Sequence, residues 1–259
     1  MSPDRAALFT ATGFFLAGFG YTVRSLSRGK PTATWPAFLL LLAGFSCQCA
    51  FLLWRGRDLG RCPITTPFEL LTFVSWAMVL LYFLTGTAYR LSLLGAFTAP
   101  LAFVLQSTAL LKPESAALPA RSRPGFWPEM HATLSLIAYG AFALACVAGI
   151  LYLIQDRLLK RHRGMQVVRH LPPVHHLSQA VHRLILTGTI ILSSGILAAY
   201  QMPNRPPVGK LAFVWAIWSI YAAILAYDHW RGMSPRKAAW AASLGFLLPI
   251  ISLWVVVRR

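Results

Sequence analysis

Acidic side chains are scarce in this chain. Seven Asp and Glu stand against 24 Lys and Arg in 259 residues, and charged residues make up only 12% of the whole. An ordinary soluble domain carries about 25%. With 57% hydrophobic residues and a mean hydropathy of +0.59, that shortage excludes the soluble globular class. The formal net charge of +17 does not point to nucleic acid. Lys and Arg sit in short loops between apolar runs, where they set membrane orientation and meet anionic headgroups. Cysteine is also sparse: Cys47, Cys49, Cys62 and Cys146 are the four present. Three of them lie within apolar runs, which excludes a disulfide scaffold. Cys47-Gln48-Cys49 reads as a metal or redox pair or as two small apolar thiols in a helix. No Cys-x-x-Cys-His occurs, so the chain does not itself carry c-type haem. Internal repeats and low-complexity tracts are absent as well.

What is present is long apolar runs. About 20 apolar residues cross the hydrocarbon core, and about eight segments qualify: Ala6–Val23, Trp35–Trp54, Phe68–Tyr89, Leu91–Leu111, His131–Ile154, Val181–Tyr200, Leu211–Tyr227 and Ala238–Val257. The fold class is therefore all-α, a polytopic membrane helix bundle of one domain. The first run ends at Arg24 without an Ala-x-Ala site and reads as a retained helix. Gly, Ala, Ser and Thr at close spacing assign the first, fifth and sixth spans to the inner bundle. Pro100 and Pro249 each remove a backbone donor and should kink the fourth and eighth. Arg169–Gln179 reads as a short amphipathic piece lying on the membrane surface. The basic loop from Asp156 to Ala180 assigns that end to the cytoplasm. Both termini, the Gly60 loop, the Lys112–Met130 loop and the Gln201–Lys210 loop then face outward.

Ionisable groups at the membrane edge are candidates for function. His131 opens the fifth span behind Phe126 and Trp127. An imidazole there is an axial ligand for haem iron or an interfacial residue in the aromatic belt. Glu69 lies just after Pro67 and satisfies the free donors of its own first turn, pairs with Arg61, or orients a ligand. Trp215 and Trp218 read as belt anchors or as one wall of a flat apolar site. His162, His170, His175, His176, His182 and His229 fall at the cytoplasmic end as solvated or headgroup-facing side chains. Asp228 and Arg231 bracket His229 as a local surface pair.

Several stretches together resemble the cytochrome c assembly family of integral membrane haem-handling proteins, in its eight-span CcsA-like branch. Gly60-Arg61-Cys62-Pro63-Ile64-Thr65-Thr66-Pro67-Phe68-Glu69-Leu70-Leu71 is similar to the family's external Gly-His-Phe-Pro-Ile-Ser-Asn-Leu-Tyr-Glu-Ser-Leu stretch. Met130-His131 followed by Tyr139, Phe142 and Ala143 resembles its external-histidine helix. Leu171-Pro172-Pro173, Arg183, Gly188 and Gly195 fit the next loop and helix. Lys210 and Trp218 fit the tail of its tryptophan-rich segment, and Arg236-Lys237-Ala238-Ala239-Trp240 with Gly245-Phe246 fits the start of its last helix. The likeness runs from about Trp35 onward. Arg61 stands where the family has a histidine, the Trp-Asp-Pro-Lys signature is reduced to Val208-Gly209-Lys210, and the family's second external histidine has no counterpart before Arg259.

The resemblance implies a protein of cytochrome c biogenesis in the bacterial inner membrane, binding or relaying haem at the outer face. His131 would be the iron ligand and Trp127, Trp215 and Trp218 the apolar wall. Arg61, Arg205 and Lys210 would neutralise the two haem propionates. Apocytochrome c and a thioredoxin-like assembly partner are the implied partners, besides the lipid bilayer. No self-sufficient catalytic set is present. The rival readings are a membrane scaffold whose haem site has decayed, and a transporter, for which only Gln48, Glu69, Gln106 and Arg183 offer polar groups near the spans.

Overall fold

The computed structural model describes residues 3–27, 34–64, 66–89, 94–111, 125–160, 173–203 and 208–257. Among these the chain is helical: α1 (Pro3–Ser27), α2 (Thr34–Leu59), α3 (Pro67–Tyr89), α4 (Leu94–Leu110), α5 (Phe126–Lys160), α6 (Val174–Tyr200), α7 (Val208–Arg231), α8 (Pro235–Gly245) and α9 (Leu247–Val257). Six of them, α1, α2, α3, α5, α6 and α7, are long and apolar enough to cross a membrane. The chain is a multi-pass membrane helix bundle, as its hydropathy requires.

Proline acts differently at the two expected kinks. Pro100 sits inside a continuous α4, whereas the eighth run breaks into α8 and α9 at Phe246. Pro249 has no N–H to give the carbonyl of Gly245, and α8 ends at that residue. The ladder resumes at once, with Ile250 N–H donating to Phe246 O at 3.4 Å. Residues 174–179, expected to lie on the surface, are instead the first turns of α6. Nothing after Pro173 interrupts helix propagation there. The earlier part of that expected piece, with Arg169, lies outside the described residues.

The hub is α5, which packs against α3, α4, α6 and α8. Its small residues explain this position. Ala138, Ala141, Ala143, Ala145 and Ala148 are fully buried, and small side chains let backbones approach in lipid, where no hydrophobic force drives helices together. A Cβ placed on Gly140 would lie 2.8 Å from Ala77 Cβ and 2.9 Å from the Met78 backbone nitrogen of α3. One on Gly149 would lie 2.8 Å from the Ala239 carbonyl of α8. Gly188 of α6 leaves room for the Phe142 ring, which stacks on Tyr221 of α7 at 3.7 Å and 5°.

The expected inner bundle needs one correction. Spans five and six are central, but α1 packs at the periphery on α2 and α4, with Gly13 and Gly20 facing open space. The third span, α3, takes the inner place between α4 and α5. Small residues on α1 thus serve its packing on α2 and α4, where Gly18 faces Leu40 and Ala99, without bringing it to the centre.

Polar groups within the α2–α4 layer bond mainly to one another. Gln48 Nε2 donates to Gln106 Oε1 (2.8 Å) and Ser75 Oγ (3.0 Å), and Gln106 Nε2 donates to Thr72 Oγ1 (3.3 Å). All four side chains are fully buried. They tie helices together, which is the usual work of amides and hydroxyls in a bilayer.

Gly140→Ala should destabilise the bundle by about 1–3 kcal/mol, because backbone rather than a flexible side chain stands in the way. Gly13→Ala, facing open space, should be neutral or stabilising by up to about 1 kcal/mol. Thermal unfolding of the two variants in one detergent measures the contrast.

Candidate functional site

Cross-helix bonds sort the loops onto two membrane ends. At one end, His131 near the start of α5 meets Gly195 near the end of α6, and the α2–α3 loop reaches Thr133 of α5 through Cys62. Tyr139 of α5 bonds Ser252 of α9. At the other end, His182 of α6 pairs with Asp228 of α7, and Asp156 of α5 with Arg236 of α8. The candidate residues His131, Trp127, Trp215, Trp218 and Arg61 all belong to the first end.

His131 has a defined tautomer when neutral. Its Nδ1 lies 2.8 Å from the Gly195 carbonyl oxygen. A carbonyl only accepts, so Nδ1 carries the hydrogen. The Nε2 lone pair is then left for another partner, the arrangement that orients metal-binding imidazoles. Gly195 makes this contact by its lack of a side chain: a Cβ there would lie 3.2 Å from Ser135 Oγ and 3.4 Å from Leu134 Cβ. Trp127 is four residues before His131, hence on the same face of α5. The residue is 40% exposed, and its ring meets Phe126 edge-on at 5.2 Å.

The two α7 tryptophans are anchored beyond α6. Trp218 Nε1 donates to Ser193 Oγ at 2.8 Å and Trp215 Nε1 to the Tyr200 hydroxyl at 3.1 Å. Their rings meet at 5.3 Å and 76°. Ser193 and Gly195 are two residues apart, about 200° around the helix. His131 therefore approaches one side of α6 while Trp218 is tied to the other. Both indoles share the membrane end with the imidazole but not its face.

The α2–α3 corner forms a third group. Thr66-Pro67-Phe68-Glu69 is a capping box. Thr66 N–H donates to Glu69 Oε2 (3.1 Å) and Glu69 N–H to Thr66 Oγ1 (3.2 Å). The other carboxylate oxygen, Oε1, accepts from Arg55 Nε of α2 at 3.2 Å, with Glu69 fully buried. Glu69 so satisfies its own first turn, as one of its readings held, and also binds a cation on the preceding helix. Gly60 closes α2 at φ +60°, in the left-handed region where glycine costs least. The chain then turns through Arg61 to Cys62, whose Sγ lies 3.8 Å from Thr133 Oγ1. Thr133 is two residues from His131, so this contact falls on the far side of α5 from the imidazole. Burial, with Glu129 and Glu69 nearby, pushes the Cys62 thiol up from its ordinary range, and its hydrogen bond to Thr133 offsets this only in part.

Arg205 lies outside the described residues. Lys210 falls in the first turn of α7, and its side chain is not described. At the opposite end His162 and His170 are likewise outside, while Gln179 Nε2 donates to His175 Nε2 at 2.9 Å. No group of three or more His, Cys, Asp or Glu that could hold a metal ion occurs among the described residues. Asp228, expected to pair locally, reaches instead across to His182 at 2.8 Å. That pairing spans two helices and leaves no trace in sequence spacing. The capping box, by contrast, has a local signature that could have found it, Thr-x-x-Glu before an apolar run.

A family model described as cytochrome C assembly protein matches residues 65–257. Among relatives, the chain is 30% identical over 159 residues to protein HemX of Brevibacillus brevis, covering 60% of this chain and 58% of that protein. It is 26% identical over 215 residues to cytochrome c biogenesis protein CcsA of Chlamydomonas reinhardtii, covering 76% of this chain and 58% of that one. With CcsA of a Synechococcus species the figures are 25% over 241 residues, 81% and 78%. The chain thus spans 58% of the length of each of the first two relatives.

With Cys47, Cys49 and Cys146 replaced by Ala, maleimide labelling reports Cys62 alone. Its pH–rate midpoint should lie above the ordinary thiol range, because the thiolate forms later than in a free cysteine. Glu129→Gln should lower that midpoint and Thr133→Ala should raise it.

Proposed function

The chain belongs to the cytochrome C assembly protein family, and from that premise we propose that it serves cytochrome c maturation by binding or relaying haem. The binding end is the one that carries His131, facing outward across a bacterial inner membrane, with both termini on that side. Haem is cargo here, on its way to an apocytochrome c. A thioredoxin-like assembly partner would keep the apocytochrome thiols reduced.

The observation that carries this reading is the His131–Gly195 bond. It fixes the ring and turns Nε2 away from that bond, so that in the neutral imidazole its lone pair suits haem iron. Trp127 on the same face, with Trp215 and Trp218 across the end of α6, would cover the macrocycle. A flat ligand lying over the helix ends can meet both groups although no single helix face holds them. Arg61, Arg205 and Lys210 would neutralise the propionates. Bound haem supplies vinyl groups, the sites at which apocytochrome thiols add. This chain's own residues bind and orient the cargo, and the thioether step belongs to the partners.

A scaffold reading has one specific observation in its favour. The same His131–Gly195 bond also ties α5 to α6 and needs no ligand to justify it. The two readings separate at one substitution. His131→Asn keeps a side-chain N–H that can reach the Gly195 carbonyl but removes the iron donor.

Protein purified in mild detergent with haem supplied should show a Soret band. That band should be lost in both His131→Ala and His131→Asn, while His131→Asn keeps the thermal midpoint of the parent. A colourless parent protein would leave only the scaffold, and a Soret band unchanged in His131→Asn would overturn His131 as the iron ligand.

A further inference from the structure

The end opposite His131 is built around a tight corner between α7 and α8. Gly232 takes φ +65° and donates its N–H to Asp228 O at 3.0 Å. Met233 N–H donates to Asp228 Oδ1 at 2.8 Å. The second carboxylate oxygen, Oδ2, lies 2.8 Å from His182 Nδ1. Asp156 of α5 is committed as well, with Lys160 Nζ at 2.9 Å and Arg236 Nε at 3.9 Å. These are the two acidic side chains at this end among the described residues. Arg157, Lys160, Arg183, Arg231, Arg236 and Lys237 lie on the helix ends at the same membrane end, all exposed. Six cations against two acids leave the corner strongly positive.

We propose that this corner is a binding site for an anionic phospholipid, with Arg231, Arg236 and Lys237 as the headgroup contacts. Charge complementarity is the first argument, since basic clusters at membrane-facing helix ends select acidic headgroups. The second distinguishes a lipid from a soluble polyanion. Trp230 and Trp240, 81% and 40% exposed, flank the same cations, with Tyr227 one turn before Arg231. Indole and phenol rings beside Arg and Lys match a layer that is apolar below and charged above. A soluble polyanion would gain nothing from them. The third argument is mechanical. Of the six candidate spans α7 is the least buried within the protein, so a lipid clamped at its end supports a helix with little other packing. The turn fixed by Asp228 joins Arg231, the last residue of α7, to Arg236, the second of α8, through four residues.

The test is native mass spectrometry of the full chain in mild detergent, titrated with phosphatidylglycerol or phosphatidylcholine. Phosphatidylglycerol should bind and raise the thermal midpoint, and phosphatidylcholine should do neither. The triple variant R231Q/R236Q/K237Q should bind phosphatidylglycerol on the order of a hundredfold more weakly, with its helical circular dichroism unchanged. Arg57→Gln, at the opposite membrane end, should bind like the parent and shows that the loss is local. Equal binding of the two lipids, full binding by the triple variant, or an equal loss in Arg57→Gln would overturn the proposal. Competition by heparin as strong as that by phosphatidylglycerol would make the corner a general polyanion surface, and would overturn it too. None of these outcomes depends on haem.

Discussion

Close approach of helices to α5 is the constraint on which the rest of the structure depends. In lipid the apolar surfaces of separate helices gain little by meeting, so contact distance decides which helices join. Gly140, Gly149 and Gly188 set those distances on three sides, each with atoms of a neighbouring helix inside the volume of a missing Cβ. Gly195 continues the series at the membrane end. There the same closeness has a chemical consequence, because it brings a backbone carbonyl within reach of the His131 ring. Packing and the imidazole's tautomer are thus one fact viewed at two depths of the bilayer.

That geometry also divides the candidate residues. Helix α5 turns His131 and Trp127 toward α6 and Thr133 toward the α2–α3 loop, where Arg61 and Cys62 lie. Helix α6 in turn separates His131 from the indole of Trp218. Three small polar groups therefore ring one membrane end instead of lining one cleft. A ligand that engages them together must be broad, flat and laid across helix ends.

Much of this was legible in the sequence, and the part that was not has a common cause. Hydropathy located the eight apolar runs because crossing a bilayer fixes length and composition together. The resemblance on Gly60–Leu71, His131 and the last helix agrees with the family matched over residues 65–257. Glu69 was readable as the group that satisfies its own first turn, because the partners of such a cap lie within four residues. The buried Arg55–Glu69 pair, the Asp228–His182 pair and the Trp218–Ser193 bond were not readable, since each depends on which helices become neighbours. Small-residue spacing was a poor guide to that choice. It identified α5 and α6 correctly and misplaced α1, whose Gly13 and Gly20 face open space.

The same cross-helix ties decide what counts as the folded unit. The family match begins at residue 65, which would leave α1 and α2 as an appendage. The bonds argue otherwise. Arg55 of α2 balances Glu69, a carboxylate with no exposure of its own. Gln48 of α2 likewise completes the hydrogen bonding of Gln106 in α4. A buried charge or amide stripped of its partner costs far more than the pair contributes when intact, about 3–5 kcal/mol for the charge. Sequence divergence before residue 65 is therefore not structural independence. Helix α2 is held to the matched region by two buried partners, α1 packs on α2 and α4, and Glu69 in turn sets the loop that carries Arg61 and Cys62 to the edge of α5.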